Sequence, residues 1–186
     1  TTLGQDIVCN LGSTNVLNMM SAGESFGNDI IAMTKGLTFI SDASDLSFVQ
    51  TIDNGNSKNH AIGLGAMGLH SFLANNQIQY ESKDAVDFTN LYFLALNYYT
   101  LIGSNQIAKE RNQTFHNFEN SDYASGKYFE KYLTKDFTEG VSQKVMNLFK
   151  DIHLPSFADW ENLKNEVNEF GLFNAYRIAL APNGSI

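Results

Sequence analysis

The chain has 186 residues, an apolar content of 43% and a formal net charge of −8. This length and composition suit a domain with a hydrophobic core, while the acidic charge argues against binding to a nucleic-acid backbone. One cysteine excludes an intrachain disulfide or a site with several thiolates, which favours a reducing, cytoplasmic setting. No apolar run approaches the roughly 20 residues of a membrane span, so neither nucleic acid nor membrane is an expected partner.

The first 75 residues contain four predicted elements. A brief, partly β-branched apolar run at residues 6–12 predicts a short strand that continues into a loop. Apolar residues at helical spacing predict an amphipathic helix over residues 25–43. The polar sequence of residues 53–58 predicts a turn, and a second helical pattern predicts a helix over residues 58–75.

One long predicted helix dominates the middle of the chain. Residues 84–111 are apolar on nearly all sides, which is typical of a helix buried within a protein. At about 1.5 Å per residue this helix would be about 40 Å long, and Ser82 or Asp84 is its candidate cap. Shorter helices are expected near residues 126–133 and 141–151.

The C-terminal part contains a helix followed by a strand. Ser156 precedes Asp159 by three residues, which is a capping-box pattern and predicts a helix start. Gly171 is the expected end of that helix. Residues 172–180 then predict a strand, and residues 181–186 the loop that leaves it.

The predicted layout is a mostly helical α/β fold. It has one strand near each end and about six helices between the two strands. Two strands alone do not form a stable sheet. We therefore expect residues 1–186 to be a single partial domain of a larger fold.

A glycine motif in the second predicted helix has two interpretations. Gly63, Gly65 and Gly68 match the pattern G-x-G-x-x-G, which occurs in dinucleotide-binding domains after a buried strand. The residues before this motif are polar and turn-like, and the acidic residues about 20 positions later sit at a predicted helix start. We therefore favour a packing role, in which small residues let this helix approach a neighbour closely.

Two further features have both a structural and a functional interpretation. Cys9 lies in an apolar strand, where a free cysteine is usually buried and inert, and a redox role would need a second thiol from outside this chain. The glycine-bearing loop at residues 182–186 is either an ordinary turn or a set of backbone amides that point at a phosphate.

The four histidines do not indicate a metal site. None forms a metal-binding pair with its sequence neighbours. We expect His60 and His70 to make structural hydrogen bonds, and His116 and His153 to face solvent.

Several segments together resemble the large, catalytic subunit of ribonucleotide reductases, most closely the class Ib form of bacteria and their phages. Residues 6–15, around Cys9, resemble the strand that bears one of its two redox cysteines. Residues 59–70 resemble a later helix, and residues 181–186 resemble the nucleotide-binding loop. Further matches lie, in order, at residues 87–93, 108–111, 114–115 and 123–129.

The resemblance implies a fold and a chemistry. The family's fold is a ten-stranded α/β barrel with helices outside, of which this chain would be a part. The family reduces ribonucleoside diphosphates to deoxyribonucleotides, and Cys9 matches one of the two cysteines that deliver electrons and close to a disulfide. The substrate diphosphate loop matches Pro182, Asn183, Gly184, Ser185 and Ile186. The family usually has threonine where Asn183 stands.

The resemblance also implies cofactors and partners. The chain itself is expected to bind no cofactor or metal. The whole enzyme would use a radical from a small subunit with a dimetal centre of manganese or iron, and an external dithiol reductant similar to thioredoxin or glutaredoxin. The other expected partners are the ribonucleoside diphosphate substrate and the remaining portions of the large subunit, because the radical cysteine and the second redox cysteine precede residue 1 in the family.

Three hypotheses follow. In the first, the chain is one piece of a split or interrupted reductase, and it is inactive alone because it has one cysteine. In the second, it is a non-catalytic remnant that assembles with itself through its apolar faces. In the third, which we rank last, it is a dinucleotide-binding domain built on the three glycines.

Overall fold

The computed structural model describes residues 3–8 and 10–182, and shows a mostly helical α/β fold. In chain order its elements are β1 (Asn10–Asn15), α1 (Val16–Ser21), α2 (Phe26–Ala43), α3 (Gln50–Asn59), β2 (Ile62–Met67), α4 (Leu69–Asn75), α5 (Lys83–Arg111), α6 (Glu130–Thr134), α7 (Gln143–Leu148) and α8 (Phe157–Phe170). Short 3-10 turns precede α2 and α6, and another lies between α5 and α6. Across this part of the chain, no helix combines the length and apolar character that crossing a membrane requires.

The sheet is small and parallel. Strands β1 and β2 pair in register from Asn10 opposite Ile62 to Asn15 opposite Met67. A later segment runs beside the other edge of β2, where Leu64 forms a single parallel bridge with Ile178. Within the described residues the sheet has two strands and is not closed, so a complete barrel is not seen.

Two strand predictions need correction. The first strand begins at Asn10 and ends at Asn15, later than the predicted residues 6–12. The predicted strand at residues 172–180 is an extended segment with one bridge. This segment follows β2 only over a short distance, because it then crosses over a glycine of β2, as described below.

The long helix α5 forms the centre of the core, as predicted. Its N-cap is Ser82, whose side chain accepts a hydrogen bond from the Ala85 amide, and it ends at Asn112 in the left-handed conformation. Phe88, Leu91 and Leu96 are fully buried. Helix α5 packs mainly against α2 and also contacts α7 and α8.

Residues 50–75 differ from the prediction. Residues 53–58, predicted as a turn, lie within α3, and residues 58–75 contain β2 followed by α4 instead of one helix. Alternate residues of β2 are apolar (Ile62 and Leu64) or glycine, and this period of two outweighs the weak helical pattern. Helix α3 is stabilised by tertiary contacts of buried Asn56, which exchanges hydrogen bonds with Ser41 of α2.

The C-terminal helices agree with the prediction. Helix α7 lies within the predicted range 141–151, and α6 begins within the predicted range 126–133 and ends one residue beyond it. Ser156 and Asp159 form a capping box at the start of α8, and α8 ends at Gly171, whose φ of 75° is left-handed. Trp160 anchors α8 in the core by stacking on Tyr132, with 3.9 Å between the ring centroids.

Candidate active site

The structure describes the flanks of the predicted site more fully than the site itself. Cys9, Asn183, Gly184, Ser185 and Ile186 lie outside the described residues. Pro182 is described and is exposed. The geometry that bears on the site is therefore that of the segments that lead into Cys9 and into residues 183–186.

The segment before Cys9 is attached to α3. The Asp6 amide donates to the Thr51 carbonyl at 2.9 Å, and the Thr51 hydroxyl donates to the Asp6 carboxylate at 2.6 Å. Gly55, one turn further along α3, permits this close approach because a Cβ added there would overlap the Asp6 carbonyl. Asp6 is thus held at one position on α3, three residues before Cys9.

A buried hydroxyl pair joins the two strands to the core helix. The Thr14 hydroxyl of β1 donates to the Gly65 carbonyl of β2 at 2.8 Å. It lies 2.7 Å from the Tyr92 hydroxyl of α5, and because its own proton is directed at Gly65, the tyrosine is the donor. Burial raises the pKa of Tyr92 to about 12. Tyr92 is therefore neutral at physiological pH and available to donate.

The segment that leads to the predicted diphosphate loop packs directly on β2. The Leu64 amide donates to the Arg177 carbonyl at 2.8 Å, and the Ala179 amide donates to the Leu64 carbonyl at 3.4 Å. At Gly65 the backbone of the segment crosses β2 so closely that an added Cβ would overlap the Ala179 carbonyl oxygen. Gly65 therefore sets the position of the chain three residues before Pro182.

This arrangement explains the glycine motif differently from the sequence interpretation. Gly63 and Gly65 lie within strand β2 and not in a helix, whereas Gly68 has a φ of 75° and begins the short helix α4. Close packing was the correct reason for the small residues, but the neighbour is the 179–180 backbone. Because that backbone covers Gly65, a pyrophosphate has no room to approach the strand at this position.

Asn174 is a second anchor of the same segment, and the sequence analysis did not select it. Its side chain is fully buried. The side-chain amide donates to the Thr38 hydroxyl at 3.0 Å and to the His60 carbonyl at 2.7 Å. Its backbone amide donates to the Ser104 hydroxyl at 2.9 Å. Asn174 therefore ties this segment to α2, α5 and the C-cap residue of α3. The sequence signal that could have indicated this role is a single side-chain amide, that of Asn174, within an otherwise apolar run.

Arg177 is buried beside tyrosines and was also missed. It is 5% exposed, and its guanidinium donates to the Tyr123 hydroxyl at 3.0 Å. The guanidinium also lies 5.0 Å from the Tyr123 ring centroid. Burial raises the pKa of Tyr128 and of Tyr132, and the positive charge of Arg177 opposes that rise. These contacts between a cation and neutral tyrosines fix the middle of the segment that ends at Pro182.

The histidines have structural positions. His60 is buried, adopts the left-handed conformation with φ of 45°, and stacks on Phe173 with 4.0 Å between ring centroids. Burial lowers the pKa of His60, and Asp42, whose carboxylate lies 3.5 Å from Nδ1, partly opposes this shift. The Nδ1 contact has the distance of an ion pair without the alignment of a hydrogen bond. The hydrogen bonds of His60 are made by its backbone and by the ring Nε2, which lies 3.5 Å from the side-chain nitrogen of Gln113.

The remaining histidines are on the surface. His116 and His153 are exposed, as predicted. His70 is also exposed, and among the described residues its side chain packs beside the Tyr80 ring instead of making the structural hydrogen bonds that we expected. In residues 3–8 and 10–182, no group of three or more His, Cys, Asp or Glu side chains is arranged to hold a metal ion.

Comparisons with known proteins identify the class of protein to which this fold belongs. A family profile described as "Ribonucleotide reductase, barrel domain" matches residues 1–186, and the chain therefore belongs to the ribonucleotide reductase barrel-domain family. The chain is 43% identical over 184 residues to the ribonucleoside-diphosphate reductase subunit alpha of Bacillus subtilis, which covers 99% of this chain and 26% of that protein.

Other relatives give the same result. The corresponding alpha subunit of Bacillus phage SPbeta is 43% identical over 99% of this chain and 17% of its own length. The subunit alpha of Mycoplasma pneumoniae is 40% identical over 99% of this chain and 26% of its own length. The chain thus spans about a quarter or less of these relatives, and it corresponds to one segment of a reductase alpha subunit.

Proposed function

We propose that this chain supplies one redox-active cysteine, Cys9, and the substrate diphosphate loop, residues 182–186, to a ribonucleoside-diphosphate reductase large subunit. The carrying observation is that the strand that follows Cys9 in sequence and the segment that leads to residue 182 meet at the same glycine of β2. Thr14 of β1 bonds to the Gly65 carbonyl, and the 179–180 backbone crosses over the same glycine. Two features that are about 170 residues apart in sequence thus depend on one packed unit.

In the proposed reaction, Cys9 acts with a second thiol from the rest of the large subunit. Reduction of the ribonucleotide replaces one ribose hydroxyl with hydrogen and releases that hydroxyl as water. This consumes two electrons and two protons, which the two thiols provide as they close to a disulfide. Thiol–disulfide exchange with an external dithiol protein similar to thioredoxin or glutaredoxin then restores both thiols and leaves the disulfide on the reductant. Because this chain contains one cysteine, we expect no turnover from the isolated chain.

The loop at residues 182–186 would bind the substrate diphosphate. Backbone amides and the Ser185 hydroxyl are donors suited to an anionic ligand. The Asn183 side-chain amide can also donate to a phosphate oxygen, in the place of the threonine that is usual in the family. The complete enzyme would be of the class Ib type, with its radical supplied by a dimetal small subunit of manganese or iron.

The test is a chimera in which residues 1–186 replace the matched segment of the Bacillus subtilis subunit alpha. With that organism's small subunit and a dithiol reductant, we expect reduction of ribonucleoside diphosphates. Cys9→Ser should abolish multiple turnover but leave the circular dichroism spectrum unchanged, because serine is similar in size and cannot form a disulfide. A folded chimera without activity, or one in which Cys9→Ser turns over normally, would contradict the proposal.

A further inference from the structure

Helix α2 exposes an apolar face that the described protein does not cover. Phe39 is 68% exposed, Ile40 is 53% exposed and Met33 is 38% exposed. At 3.6 residues per turn these side chains share one side of the helix with three small residues. We call this surface the α2 face, and it consists of Ala32, Met33, Gly36, Phe39, Ile40 and Ala43.

The α2 face is uncharged and has open space in its middle. It extends about 17 Å along the helix axis, and a Cβ added at Gly36 would meet no atom within 4 Å. The charged residues of this part of α2 point elsewhere, since Lys35 pairs with Glu110 at 2.7 Å and Asp42 pairs with Arg111 of α5. The small residues leave space beside the large apolar side chains, and the side chains of another helix can pack into such space.

The opposite side of α2 fixes this face in place. Ile30, Thr34 and Thr38 are fully buried, and α2 packs against α5 and both strands. The Thr38 hydroxyl also accepts the hydrogen bond from Asn174 described above. The α2 face is thus a rigid surface on the element that supports both flanks of the candidate site.

We propose that the α2 face is the docking surface for the remaining part of the reductase large subunit. This inference rests on the proposed function. The relatives are about four times as long as this chain. In the family, most of the large subunit therefore lies outside the segment that this chain represents. Contiguous exposed apolar surface of this kind marks an interaction site in a soluble domain.

A second copy of the chain fits the same surface less well. Each copy has a net charge of −8, so two copies repel one another. One helix face also offers less area than the roughly 1,000 Å² that a specific interface needs. The remaining large-subunit polypeptide can instead cover the α2 face as one part of a more extensive interface.

The first experiment measures binding. The 186-residue chain is mixed with the two pieces of the Bacillus subtilis subunit alpha that flank its matched segment, and the apparent Kd is measured. A Phe39→Glu, Ile40→Glu double variant should raise the Kd at least about tenfold. The matched control is Val86→Glu, which changes a 55% exposed residue on α5 and should leave the Kd unchanged. Failure of the unmodified chain to bind, or equal Kd values for the double variant and the control, would overturn the inference.

The second experiment compares stability in two settings. The double variant should not change the melting temperature of the isolated chain, because both side chains are exposed there, but it should lower that of the full-length chimera. Equal changes of the melting temperature in the isolated chain and in the chimera would refute docking. Docking would also be refuted if the double variant lost a self-associated species in sedimentation but left the chimera unchanged. Activity of the unmodified chimera tests the proposed function separately, so the two ideas can fail independently.

Discussion

Replacing Gly65 with alanine introduces a methyl group where the backbone of Ala179 crosses strand β2. The added Cβ would overlap the Ala179 carbonyl oxygen and would lie 3.3 Å from both the Ala179 carbonyl carbon and the Leu180 Cα. All three neighbours are backbone atoms, so no side-chain rotation can relieve the contact. The segment would have to move by about 1 Å to restore ordinary van der Waals separations.

This displacement has an energetic and a functional consequence. It strains the hydrogen bonds of Leu64 with Arg177 and Ala179, at 2.8 and 3.4 Å, and overpacking of this kind costs about 1–3 kcal/mol of unfolding free energy. The moved segment also leads directly to Pro182. If residues 182–186 bind the substrate diphosphate, a shift of about 1 Å should reduce the kcat/KM of the chimera by up to ~100-fold.

Urea denaturation of the isolated chain and steady-state kinetics of the chimera measure the two effects. For the urea experiment on the isolated chain the matched control is Gly36→Ala, since Gly36 lies in helix α2 with open space around it. That substitution should stabilise the chain by about 0.5–1 kcal/mol. If Gly65→Ala changes the unfolding free energy by less than about 0.5 kcal/mol, the close approach at this strand does not determine the position of the segment, and the reasoning is refuted.

Two further predictions concern buried polar groups. Tyr92→Phe should cost about 1 kcal/mol, while Thr14→Val should cost more because it leaves the buried Tyr92 hydroxyl without an acceptor and also removes the side-chain hydrogen bond to the Gly65 carbonyl; equal losses in urea denaturation would contradict this. Since burial lowers the pKa of His60 below 6.5, the unfolded chain binds a proton that the folded chain does not. The unfolding free energy should therefore fall as the pH decreases below about 6.5, and less steeply in His60→Asn, which tolerates the left-handed backbone; identical pH dependence in the two proteins would show that His60 makes no contribution.

The best sequence predictions were those that depend on local signals. Helix α5 has a continuous apolar surface and a serine cap, and α8 has a capping box and a terminal glycine, so both were predictable. In α3 and β2 the local signal was weak or misleading. Asn56 of α3 is stabilised by Ser41 of α2, and β2 is stabilised by partners from residues 10–15 and 176–179; neither set of contacts is visible in a local pattern.

The candidate site shows the same division. Cys9 and residues 182–186 were selected through the resemblance to the reductase family, and they remain proposals. Asn174, Arg177 and Gly55 were missed, because their roles depend on which residues meet them in space. A buried asparagine and a glycine under a carbonyl have ordinary sequence neighbours, and their importance appears only when Thr38, His60 and Asp6 are brought against them.

The sequence by itself thus determined the family, the long core helix and the capped C-terminal helix, because these depend on similarity along the chain and on contacts within a few residues. The tertiary structure decided that the glycine motif is a strand crossed by another segment, and that the strand after Cys9 and the segment before Pro182 meet at Gly65. Those features rest on contacts between residues 50 to 140 positions apart. Such contacts depend on packing and on the partners of buried polar groups, for which a local sequence pattern has no signal.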